Sequence, residues 1–174
     1  MIVTKNKRYS LRRFALLIPL ILIFSGVAEI NAQEPPPRPI RIDVTAQGLS
    51  FGAFYHGAVG GSVVILPSGS RSATGDVVLL GLGFPFSAAL FEVHAHPGTV
   101  ISILNGPDAV LAGIPSGTMT LHIGSSNPSS SFVSNVHFNI AIPLYIGGNL
   151  TVGNSAANPP GSYTGTFDIT LVRE

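Results

Sequence analysis

The chain has 174 residues, with 20 Gly, 14 Pro, no Cys and only 10 % charged side chains, for a formal net charge of +1. An apolar share of 45 % excludes a disordered polymer, and the lack of Cys excludes a disulfide-stapled scaffold. Five of the nine Lys and Arg precede residue 14, so residues 33–174 keep four Arg, no Lys and seven acids, a balance of −3 that offers neither nucleic acid nor anionic lipid a basic patch.

The amino terminus has three parts. Lys5, Lys7, Arg8, Arg12 and Arg13 are followed by an unbroken apolar run at 14–24 (FALLIPLILIF) and a small, polar stretch at 25–32 (SGVAEINA). That is the layout of a secretory signal peptide, cleaved after Ala32. The run of 11 residues is shorter than the ~20 that cross a bilayer as a helix. No later segment is apolar enough, so no membrane span is expected in the mature chain. The expected location is periplasm, outer surface or extracellular space. Residues 33–39 (QEPPPRP) read as a proline-rich linker, because Pro fixes φ and cannot donate to a sheet. Residues 40–174 are left as one domain.

From residue 40, short β-type runs alternate with turn residues. Residues 40–45 and 49–51 form a first strand interrupted at Gln47-Gly48, and residues 62–66 a second, closed by Pro67-Ser68-Gly69-Ser70. A third covers 71–80 with Gly75 as a bulge or kink. Runs at 90–95 and 100–104 flank a His96-Pro97-Gly98 turn, and another lies at 118–123. After a polar loop at 125–131, the longest run covers 132–142 and ends at Pro143. Residues 145–152 contain Gly147-Gly148, and 163–172 close the chain.

Several runs alternate. Met119, Leu121 and Ile123 oppose Thr118, Thr120 and His122; Phe91, Val93 and Ala95 oppose Glu92, His94 and His96. In the last run, Tyr163, Gly165, Phe167, Ile169 and Leu171 oppose four polar residues. One buried and one wet face per strand, with no sustained helical period, predicts an all-β fold. The economical arrangement is an antiparallel two-sheet β-sandwich with Greek-key connections, immunoglobulin- or pilin-like, preceded by the signal-peptide helix.

The motifs Gly48-Leu49-Ser50-Phe51-Gly52, Gly147-Gly148-Asn149-Leu150-Thr151-Val152-Gly153 and Pro160-Gly161-Ser162-Tyr163-Thr164-Gly165-Thr166-Phe167 carry a resemblance. The chain resembles an exported bacterial family classed as a domain of unknown function, whose members have pilin-like β-sandwich character. The resemblance covers about residues 44–172 and implies fold and export; it brings no catalytic residues.

The chemical candidate is Glu92-x-His94-x-His96. Alternate positions on a strand project one way, and carboxylate and imidazole are good ligands for zinc, copper or nickel. His122 or His137 could add a fourth ligand, while His56 reads as a loop residue. No Gly-x-Ser-x-Gly elbow is present, and Gly81-Leu82-Gly83 runs into Phe84-Pro85 instead of a phosphate-binding helix. The expectation is a non-enzymatic structural or interaction module with no cofactor. With no Lys to blunt its sheet edges, it is expected to self-associate or hold a protein partner by β-strand addition. A metal- or ligand-binding domain using the Glu92/His94/His96 face is the alternative.

Overall fold

The computed structural model describes residues 39–174. The expected signal peptide and nearly all of the proline-rich linker lie outside the described residues. Every regular element described is a β-strand and every pairing is antiparallel.

The strands fall in three sheets. The largest has eight, in the order β1 (Arg41–Val44), β6 (Ala89–His94), β11 (Ile142–Val152), β9 (Thr118–Asn127), β8 (Ala109–Ile114) and β12 (Ser162–Thr164), with β3 (Phe54–Ile65) also on β11 and β4 (Arg71–Leu79) on β3. A second sheet has the order β10 (Ser131–Val133), β7 (Val100–Asn105), β13 (Ile169–Arg173), and a third pairs β2 (Ser50–Phe51) with β5 (Phe86–Ser87).

β11 organises the large sheet. Along one edge it pairs β9; along the other, Ile142 to Ile146 pair β6 and Gly148 to Val152 pair β3. The change of partner falls at Gly147, where the β9 register also shifts. A Cβ there would lie 2.4 Å from the Ile65 carbonyl oxygen, so this crossing requires glycine. Pro143, expected to end a strand, lies inside β11 opposite Glu92. It precedes the first β9 pair at Tyr145, so no N–H is needed towards β9.

Burial divides into two clusters. In one, Ile101 and Ile103 of β7 pack with Val93, Ile123, Leu144 and Ile146 of the large sheet, joined by Phe132, Ile169 and Leu171, so the three-stranded sheet covers this half. In the other, Val63, Ile65, Val77, Leu111, Met119, Leu121, Leu150 and Val152 of the large sheet pack with Phe51. The sheet over them is the two-residue pair β2–β5.

The all-β, antiparallel expectation holds, and so does the alternation in β9, where Met119, Leu121 and Ile123 are buried and Thr118, Thr120 and His122 exposed. Further particulars differ, beginning with the number of sheets, three where two were expected. Residues 40–45 and 49–51 are strands of separate sheets. β3 begins eight residues earlier than expected, because its glycines serve close strand approach: a Cβ on Gly61 would lie 2.1 Å from the Thr74 carbonyl oxygen. The run at 132–142 is strand only at its start, and residues 134–141 are irregular. Finally, 163–172 is not one strand; β12 and β13 belong to different sheets, with 165–168 crossing between them.

Candidate functional site

Two places carry chemistry, one at the β1 edge and one over the less covered core. At the edge, β1 pairs β6 with Arg41 opposite His94 and Asp43 opposite Glu92, so these four side chains share a face. The ligand atoms of Asp43, Glu92 and His94 all lie within 4.8 Å of one another.

Glu92 and His94 thus stay together, and Asp43, which no spacing in β6 could reveal, joins them from the neighbouring strand. His96 lies outside this set. β6 ends at His94, and the His96 ring stacks on Phe138 with centroids 5.0 Å apart. Nor is the face wet throughout: His94 is 6 % exposed, because the irregular segment 134–141 passes over it. The Phe138 carbonyl oxygen lies 2.9 Å from His94 Nδ1, and Asp43 Oδ2 lies 3.4 Å from Nε2. The other histidines sit elsewhere. His122 Nδ1 pairs with Asp108 at 2.7 Å, and His137 Nδ1 accepts from the Asn139 N–H.

The second place is a groove of about 950 Å³ over the Phe51–Leu150 cluster. Buried Leu111, Met119 and Leu150 line it alongside residues 49–58, the 80–85 loop, and 159–163. Tyr55, Leu82 and Phe84 are more than half exposed on its lining. His56 lies here on β3, not in a loop, and its Nε2 is 2.9 Å from the Asn158 carbonyl oxygen.

The lining is braced by polar contacts. Asn158 is buried; its Oδ1 accepts from Gly153 N–H at 2.5 Å and its Nδ2 donates to the Thr118 carbonyl at 2.6 Å. Arg71 donates to the Ala53 carbonyl at 2.6 Å, its guanidinium 4.9 Å from the Phe86 ring centre. Asp76 Oδ2 accepts from Val59 N–H at 2.8 Å. This backbone hydrogen bond, aided by those of Gly57 and Gly60, holds the Asp76 pKa below the ordinary carboxylate value, against a smaller opposing push from desolvation.

The groove also holds an unpaired strand edge. β3 pairs β4 along one side, but β11 takes its other side only from Gly61 to Ile65. No strand among the described residues pairs that side of residues 54–60.

A family model described as a domain of unknown function, DUF4402, matches residues 42–172. The chain belongs to the DUF4402 family. The match covers nearly all of the described strands of this DUF4402 chain, including both the acidic-histidine cluster and the groove. No curated protein and no solved structure matches the chain.

Proposed function

We propose that this DUF4402 domain is an exported, non-enzymatic structural module with pilin-like β-sandwich character, which assembles by accepting an extended segment of a second copy. The observation that carries this reading is the coincidence of an apolar groove with an unpaired strand edge at residues 54–58. An added strand would gain main-chain hydrogen bonds from the edge and bury alternate side chains on Leu111, Met119 and Leu150.

The chain carries a segment of that pattern. Ile40, Ile42 and Val44 alternate with Arg41, Asp43 and Thr45 just after the proline-rich stretch. In the domain itself Arg41–Val44 of this segment form the sheet-edge strand β1, paired among the described strands with β6 alone, with Ile42 36 % and Val44 78 % exposed. Its five residues from Ile40 to Val44 match the five that line the groove on β3, 54–58, about 17 Å of extended chain. The linker before it gives reach without competing for pairing, since Pro cannot donate.

Residues 33–174 contain every described strand and both core clusters, and are the unit to purify. Light scattering against concentration should show oligomers, and gels without boiling should show ladders that collapse on heating. Val44→Asp damages the donor and Leu82→Asp the groove, both at exposed positions where stability should stay within about 0.5 kcal/mol. Each variant alone should be monomeric. Mixed one to one they should give dimers, because an intact donor then meets an intact groove. A wild-type monomer at every concentration removes self-assembly; polymers that ignore both substitutions remove this route to it.

A further inference from the structure

The cluster at the β1 edge brings three ligand atoms of metal-binding type together on one strand pair. His94 Nδ1 lies 2.9 Å from a carbonyl oxygen, which can only accept, so Nδ1 carries the hydrogen. That leaves Nε2 as the nitrogen facing the carboxylate oxygen of Asp43, 3.4 Å away, with a ligand atom of Glu92 within 4.8 Å of both residues' ligand atoms. An imidazole fixed by donation to a backbone carbonyl, with its other nitrogen turned to the carboxylates, has the orientation of a metal-bound histidine.

We propose that Asp43, Glu92 and His94 bind a zinc-class divalent cation that staples strand β1 to β6. The ligand types suit zinc, and bonds of about 2.0–2.2 Å in a tetrahedron place neighbouring ligand atoms roughly 3.3–3.6 Å apart. The His94–Asp43 separation of 3.4 Å already fits one such edge. Glu92 must close from within 4.8 Å, and it is exposed and free to turn. Water supplies the fourth ligand. Arg41 is the built-in competitor: its Nη2 lies 3.1 Å from the same Asp43 oxygen, and its side chain is 56 % exposed. An exposed pair of this kind is weak, so an ion can displace it. The site does not depend on strand exchange between copies; where exchange occurs, the ion holds β1 at home.

The test is calorimetric titration of zinc chloride into residues 33–174, with amide exchange of β1 followed in parallel. The expected result is one ion per chain and slower exchange at Ile42 and Val44 when zinc is present. Asp43→Asn and His94→Ala should each weaken binding at least tenfold, while Arg41→Ala should tighten it several-fold by removing the competitor. Calcium, which prefers six to eight oxygen ligands, should not bind. Should His94→Ala fail to fold, the half-exposed Asp43→Asn still decides. No zinc binding by either wild type or Arg41→Ala overturns the proposal. So does affinity unchanged by Asp43→Asn, or calcium binding as tight as zinc.

Discussion

The two halves of the domain solve the same problem differently. Around Leu144 and Ile146, side chains of the large sheet are covered by a second sheet, and the bond between layers is apolar contact. Around Leu111 and Met119 the matching cover is two residues of β2 and two of β5, and polar struts from Asn158, Arg71 and Asp76 hold the lining in place. Apolar cover is non-directional and closes over whatever it packs on. Hydrogen-bonded struts fix distance and direction, and so can keep a groove open. The difference places a closed core in the first half and a preformed groove in the second.

The largest test of this contrast is a pair of truncations. Leu144 is fully buried between layers, so Leu144→Ala should cost about 4 kcal/mol through lost transfer energy and a new cavity. Leu111, 9 % exposed, lines a groove that already exists, so Leu111→Ala should cost about 2 kcal/mol. Denaturant midpoints measure both. Equal losses would show that the two halves are packed alike.

Asn158→Ala comes next, at about 1–2 kcal/mol, because the buried amide loses its hydrogen bonds to the half-buried Gly153 N–H and to the Thr118 carbonyl. The same variant should loosen 154–161 selectively, read as faster amide exchange there than in β7. A substitution that lowers stability without that local signature would make Asn158 an ordinary core residue and not a strut.

How much of this was legible in the sequence follows from the same physics. Strand alternation showed in the first six residues of β9, Thr118 to Ile123, where hydrophobic and polar residues alternate and one face meets water. It failed where a face is covered by irregular chain: nothing near His94 announces that Phe138, 44 residues on, will cap its ring nitrogen. The glycines of β3 read as a loop because their role is a close approach between strands, which has no local signature. The last run kept its alternation, with Tyr163, Phe167, Ile169 and Leu171 all half-buried, yet it serves two sheets; periodicity reports which side is wet, not which partner is paired. Of the metal-type cluster, Glu92 and His94 could be read from spacing along one strand. Asp43 could not, since its place is set by the β1–β6 register.

The smallest expected effect separates the halves by pH. Asp76 has a folded-state pKa held below its unfolded value, chiefly by the Val59 N–H. Its contribution to stability is therefore complete above the unfolded value and is lost as pH falls through the lower, folded one. What it ties down is the edge at 57–60 beside the groove, and no core contact of the other half depends on it. On acidification the Val59 amide should lose protection while those of β7 keep theirs, since local openings need not involve the whole domain. In Asp76→Asn the side-chain oxygen can still accept but no longer titrates, so this acid step should vanish while Val59 stays partly protected at neutral pH. Should Val59 and β7 lose protection at one common pH in the wild type, the halves would open as a single unit, and the groove edge would have no stability of its own apart from the covered core.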